Sequence, residues 1–297
     1  MLSDRQLARI TTTRARSPEK IAEAAQDRVK PNSAFDDDER DLIIAADHPA
    51  RGALRAGAYP MAMANRRELL RRLCVALSRP GVTGVLATPD ILEDLLLLGA
   101  LNDRSVYGSM NRGGLAGAKF ELDDRFTSYD VPSLVRFGFD GGKMLLRIDY
   151  SDERTEQTLA ACARAVTELA EEKLVAMVEP FISRRTEEGQ LWNDLSIEAA
   201  STAVTIASGL GATSAYTWLK VPVIGDGGDA MAQVLSSTTL PTLLLGGEVS
   251  TDQEATYERW RRALRNPTVR GLVVGRSLLY PADGDVAKAV DVAVGLL

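Results

Sequence analysis

The sequence predicts an α/β fold: one (β/α)8 TIM barrel preceded by a helical extension. Three observations carry this reading. Short apolar runs alternate with longer segments of helical spacing, the mark of successive βα units. Eight such runs fit in about 250 residues, the usual span of a closed barrel. Several are apolar at consecutive positions, as strands covered on both faces require. An open doubly wound sheet is the alternative, and the lack of a G-x-G-x-x-G turn after the first run counts against it.

Residues 1–40 are polar and helix-prone and form the expected N-terminal extension. Ser17 followed by Pro18 reads as an N-cap with proline at the first helical position, leading into IAEAAQDRV. This extension either caps the bottom of the barrel or makes a subunit contact. The barrel is assigned to residues 41–297. Its strands are expected at LIIAAD (42–47), GVLAT (84–88), VYGSMN (106–111), KMLLRID (143–149), VAMVEP (175–180), AYTWLKV (215–221), TLLLGG (242–247) and GLVVGR (271–276). Between them, residues 66–79 place Leu69, Leu70, Leu73 and Leu77 on one helical stripe. Residues 153–173 and 197–210 follow the same pattern, the latter stopping at Gly209 and Gly211, and a last amphipathic segment begins after Gly284.

Composition narrows the function. Hydrophobic residues make up 45% of 297, enough for a sizeable core, and the net charge of −6 gives no basic footprint for nucleic acid. Cys74 and Cys162 both fall in expected helices, so a disulfide framework is not indicated and a reducing compartment fits. No apolar stretch approaches the ~20 residues that span a bilayer, and the N-terminus lacks the apolar core of a signal peptide. A cytoplasmic protein, without membrane or nucleic-acid partners, is expected, and a homo-oligomer with it.

In barrels of this kind, chemistry sits where strands end and βα loops begin. The first run ends in Asp47, His48 and Pro49, the fourth in Arg147 and Asp149, and the fifth in Glu179. The sixth ends in Lys220, the seventh in Gly246, Gly247 and Glu248, and the eighth in Gly275, Arg276 and Ser277. Ionisable groups at the ends of such apolar runs are costly to desolvate unless paired or used. Lys220 stands out among seven lysines and 28 arginines because it alone is read inside an apolar strand. Burial disfavours a charged amine, and a nearby cation such as Arg147 would disfavour it further. A neutral amine is what attack on a ketone or aldehyde needs. The competing reading is a lysine that snorkels to solvent. Glu179 is the candidate proton shuttle, or else a simple charge partner. Asp47 orients Lys220 or a substrate hydroxyl, or else caps its loop.

Gly246 and Gly247 after the seventh strand, with Gly275 and Arg276 after the eighth, match the usual barrel phosphate site. The competing reading is tight turns without a ligand. His48 is the only histidine, which argues against a catalytic zinc, and no G-x-S-x-G supports a serine hydrolase.

These motifs resemble those of class I (Schiff-base) aldolases. IIAADHPARG (43–52) is similar to the first-strand motif of the archaeal-type fructose-bisphosphate enzymes. WLKVPV and VEPF (178–181) resemble strands of the tagatose-bisphosphate aldolase group, and GGEVS (246–250) and VVGRSLLYP (273–281) resemble their phosphate-binding strands. The likeness runs in order from about 42 to 281. It implies an imine at Lys220, proton transfer by Glu179, an active-site acid at Asp47 and a phosphate held by Gly247, Ser250, Gly275 and Arg276, with no metal or cofactor. Pro49 replaces the usual archaeal glycine, and Glu179 stands where that subgroup has an aromatic proton donor. The whole is closer to an actinobacterial aldolase-like family linked to inositol breakdown. That resemblance implies a phosphorylated ketose or deoxy-keto-acid substrate, such as 6-phospho-5-dehydro-2-deoxygluconate, giving dihydroxyacetone phosphate and an aldehyde. The alternative class is a non-catalytic barrel that senses sugar phosphates or binds a partner.

Overall fold

The computed structural model describes residues 2–31, 40–111, 114–247, 249–250 and 252–297. Glu248, read above as the end of the seventh run, lies outside the described residues. The strands are β1 (Asp41–Ala45), β2 (Gly84–Ala87), β3 (Ser105–Ser109), β4 (Gly141–Ile148), β5 (Val175–Arg185), β6 (Leu191–Asn193), β7 (Thr217–Pro222), β8 (Thr242–Leu245) and β9 (Val269–Val274). The helices are α1 (Asp4–Arg16), α2 (Lys20–Gln26), α3 (Arg66–Leu77), α4 (Pro89–Leu97), α5 (Val131–Phe137), α6 (Arg154–Glu171), α7 (Ile197–Ser208), α8 (Asp229–Leu235), α9 (Gln253–Ala263), α10 (Arg276–Leu279) and α11 (Val286–Val294).

Eight strands pair in parallel in the order β1, β2, β3, β4, β5, β7, β8, β9, and β9 returns to pair with β1. The sheet therefore closes, and the predicted barrel is the observed one. Closure leaves every strand buried on two faces, which is why the runs read as continuous apolar stretches. The two faces carry different layers. Leu42, Ile44, Met144, Leu146, Val178, Leu219 and Val274 join the layer between sheet and helices. Ile43, Ala45, Leu86, Tyr107, Met177, Leu243 and Val273 fill the barrel. Side chains alternate along a strand, so this parity fixes what faces inward. On β4 the inward set is Lys143, Leu145 and Arg147; on β5 it includes Met177 and Glu179; on β7 it includes Trp218 and Lys220.

Three local details differ from the sequence reading. Strand β5 runs five residues past its expected end and folds back as an antiparallel hairpin with β6, turning through Gly189 at φ 81°. Ser17 does not cap α2: it closes α1, its N–H donating to the Thr13 carbonyl, and Glu19 is the residue before α2. Lys143 is no strand entry. β4 begins two residues earlier, because Gly141 and Gly142 lie in the sheet where a Cβ would press to 2.4 Å from Val175 O and from Met110 Sδ respectively.

The N-terminal helices are tied to the barrel by packing and charge. Leu7 and Ile10 are buried in the outer layer, and Arg14 bonds Glu93 and Asp94 on α4. Arg28 donates to the carbonyls of Arg104 and Gly138, just ahead of β3 and β4, so this stretch lies at the end of the barrel where the strands begin. No helix among the described residues is long and apolar enough to cross a membrane.

Candidate active site

The inward parity of four strands converges on one chain of charges at the ends where the strands finish. Lys220 on β7 donates to Glu179 Oε1 on β5 at 2.8 Å. The other Glu179 oxygen is held by the ammonium of Lys143 on β4. Lys143 also donates to Asp47 Oδ2 at 3.2 Å, just past β1. The same aspartate oxygen accepts from Ser109 of β3 at 3.4 Å. Lys143 and Asp47 are fully buried and Lys220 is 3% exposed, so the sequence lysine is inward and not snorkelling. Register explains the spacing: Leu145 stands opposite Glu179, and Val178 opposite Leu219, which brings the three charged residues of β4, β5 and β7 to neighbouring levels.

Buried charges persist only when paired and hydrogen-bonded. Here two ammonium groups and two carboxylates alternate, so each charge has an opposite neighbour. Lys143 and Ser109 are the members that sequence reasoning missed. The signal for Lys143 was the two-residue alternation of Lys143 and Arg147 with Met144 and Leu146.

Above this floor opens a cavity of about 780 Å³ whose lining includes Glu179, Lys220, His48, Arg147 and Arg276. His48 follows Asp47 directly, with its Nδ1 3.5 Å from Asp47 Oδ1. Burial, and then the positive charges of Arg276 and Lys220, hold this imidazole well below the ordinary histidine range. His48 is therefore neutral at pH 7.

Arg147 lines the same cavity, but its guanidinium is committed elsewhere. It grips Asp124 in two places, Nε to Oδ2 at 2.8 Å and Nη2 to Oδ1 at 2.6 Å, and bonds Glu121 Oε1 at 3.3 Å and the Glu121 carbonyl. Arg51, from the 3-10 turn after β1, donates to the same Glu121 oxygen at 2.6 Å. Burial and the Arg147 charge push the Arg51 guanidinium down from its usual range.

The glycine-rich ends of β8 and β9 also face the cavity. Gly246, Gly247, Ser250, Gly275 and Arg276 all belong to its lining. Packing itself demands some of these glycines. A Cβ at Gly275 would stand 2.2 Å from the Ala45 carbonyl oxygen, and one at Gly246 would stand 2.5 Å from Val274 Cγ1. Gly247 has φ 66°, the left-handed region in which side chains are strained. Arg276 Nη2 reaches the Gly247 carbonyl at 3.4 Å, and the Ser250 hydroxyl accepts from Asp252 N–H at 3.0 Å. Among the described residues no group of three or more histidine, cysteine, aspartate or glutamate side chains is arranged to hold a metal ion.

Comparison with known proteins adds a family and a fold. The crystal structure of Cgl0159 from Corynebacterium glutamicum (Brevibacterium flavum) is 52% identical, with a TM-score of 0.95, over 100% of this chain and 98% of its own. A Schiff-base-forming fructose-1,6-bisphosphate aldolase is 18% identical over 93% of this chain and 99% of its own, with a TM-score of 0.65. An archaeal fructose 1,6-bisphosphate aldolase is likewise 18% identical over 93% and 99%, with a TM-score of 0.63. At that identity the two aldolases share the barrel architecture with this chain. No curated protein matches the sequence. The Cgl0159-like family model covers residues 39–294, from the entry of β1 to the last helix, and the chain belongs to that family.

Proposed function

We propose that this chain is a metal-independent class I aldolase, a carbon–carbon lyase that forms an imine at Lys220. The observation that carries the reading is the buried amine of Lys220 held 2.8 Å from Glu179 Oε1 at the floor of the cavity. Nucleophilic attack needs the neutral amine, and the hydrogen-bonded carboxylate is placed to take its proton. Lys143 keeps the second Glu179 oxygen engaged and also anchors Asp47. It holds both carboxylates in place by charge.

The steps balance with these groups. Lys220 gives one proton to Glu179, and the neutral Nζ attacks the ketone carbon of the substrate; a second nitrogen proton moves to the new alkoxide, giving the carbinolamine. Glu179 returns its proton to the carbinolamine hydroxyl, which leaves as water, and the iminium forms. Glu179, again a carboxylate, then takes the proton of the hydroxyl on the carbon to be released. The carbon–carbon bond breaks, the aldehyde departs, and the electron pair remains as an enamine on Lys220. Protonation of the enamine and hydrolysis of the imine free the donor product. In this reading Gly246, Gly247, Ser250, Gly275 and Arg276 receive a phosphate at the rim, through backbone N–H groups and one guanidinium. The substrate is a phosphorylated ketose or keto-acid. With 6-phospho-5-dehydro-2-deoxygluconate the products are dihydroxyacetone phosphate and an aldehyde, which places the reaction in inositol breakdown.

Borohydride reduction in the presence of dihydroxyacetone phosphate tests this directly. The expected outcome is a mass increase mapped to the Lys220 peptide in the wild type and absent in Lys220→Met. Lack of an adduct, together with full aldol cleavage by Lys220→Met, overturns the imine.

A further inference from the structure

The wall facing the glycine-rich rim carries a second charged surface that the imine chemistry does not use. Counted around the closed barrel, β4 stands four places from β9 and hence opposite it. Arg147 near the end of β4, with Arg51 and Glu121, lines the cavity on that side. Glu121 Oε1 is shared by both guanidiniums. Asp124, which neutralises Arg147, is 2% exposed and stands behind the lining. The lining therefore shows two guanidiniums and one carboxylate, and with Asp124 counted the network is neutral overall. Arg51 is already pressed by the like charge of Arg147. Its Nε is buried and has no hydrogen-bond acceptor among the described residues. An N–H left in that state is stabilised by any acceptor brought to it.

We propose that Arg51, backed by Arg147, is a subsite for a carboxylate on the half of the substrate that leaves as the aldehyde. A network already neutral takes up a monoanion at lower cost than a doubly charged phosphate, and a flat guanidinium edge with an unpaired Nε–H matches a flat carboxylate. The subsite rests on the imine reading for its place in the reaction: an anion cradle on one wall holds the donor half, and Arg51 on the facing wall selects the acceptor half. Arg51 is thus a specificity residue for carboxylated aldehydes.

Two measurements on the full chain test it. With dihydroxyacetone phosphate as donor, wild-type kcat/KM for succinic semialdehyde exceeds that for propanal by roughly 10–100-fold, the range for one hydrogen bond to a charged group. In Arg51→Gln the ratio falls toward one. Separately, saturation-transfer NMR with butyrate shows weaker binding in Arg51→Gln while inorganic phosphate binds as before. An unchanged ratio, or equal loss of butyrate and phosphate, overturns the subsite. If Arg51→Gln does not fold, Arg51→Lys replaces it, with a smaller loss expected and no loss counting against the proposal. Failure of the imine is read independently: without a borohydride adduct at Lys220 the aldolase falls, whereas an adduct with unaltered butyrate binding removes the subsite alone.

Discussion

The cavity holds two ionic networks of similar composition and different construction. The floor joins Asp47, Lys143, Glu179 and Lys220, each standing on a barrel strand or within two residues of its end. The rim on the β4 side, facing the glycine-rich ends of β8 and β9, joins Arg51, Glu121, Asp124 and Arg147, of which only Arg147 lies on a strand. Both contain two cations and two carboxylates. In the floor, strand register sets the distances, so the charges are placed by the same backbone bonds that close the barrel. In the rim, the segment between β3 and α5 brings Glu121 and Asp124 to Arg147, and the ion pairs themselves help hold that segment. The floor is suited to chemistry that tolerates no displacement. The rim is suited to recognition and can adjust to a ligand.

This contrast is open to being broken. The largest effect is expected from Glu179→Gln, which keeps the shape and removes the proton acceptor. Aldol turnover should fall by about 10²–10⁴-fold, and the melting temperature should fall too, since two buried ammonium groups lose their carboxylate; unchanged turnover in the folded variant would strip Glu179 of its proposed role. Next comes Lys143→Met. Its loss leaves Asp47 and Glu179 without their shared cation in a site 0% exposed at Lys143, and removing one partner of a buried pair costs about 3–5 kcal/mol. Urea unfolding measures this, and a loss below about 1 kcal/mol would mean the floor is no more rigid than a surface pair. Asp124→Asn at the rim should cost less, since the amide retains one acceptor for Arg147 and Glu121 remains. Its sharper readout is faster proteolysis within residues 114–130, and a cleavage pattern like that of the wild type would show that the segment does not depend on the pair.

The same contrast explains what could be read from the chain. Barrel closure, the eight strands and the polar strand ends at Asp47, Glu179, Lys220 and Arg276 follow from short-range periodicity, and each was visible as an ionisable residue ending an apolar run. Lys143 was hidden because Gly141 and Gly142 look like a turn; only the close approach of Val175 and Met110 makes glycine necessary inside a strand there. The β5–β6 hairpin was missed because strand β6 has three residues, too few to show alternation. Arg147 was visible as a charge, but its partners were not. Glu121 and Asp124 stand 26 and 23 residues away in a segment without periodicity, and nothing local marks which carboxylate a guanidinium will meet.

His48 stands beside Asp47 of the floor and lines the cavity, and it gives the smallest and most specific test. Burial and the charges of Arg276, Lys220 and Lys143 keep it neutral in the folded chain, with Glu179 opposing them in part. In the unfolded chain it titrates near its ordinary value of about 6.5. Below that pH the unfolded state takes up a proton that the folded state refuses, so stability rises with pH through this window and is lost as pH falls. The contribution is fully present above about pH 7 and shrinks steadily from about pH 6.5 downward. Replacement by asparagine removes one proton from the linkage. The dependence of unfolding free energy on pH should therefore flatten between pH 5 and 6.5 in His48→Asn, by at most one proton's worth of slope, and coincide with the wild type in shape above pH 7. An identical slope in both proteins would mean that His48 takes up its proton in the fold as it does in the unfolded chain, and the cations of Arg276, Lys220 and Lys143 would then act on it less than the shared cavity implies.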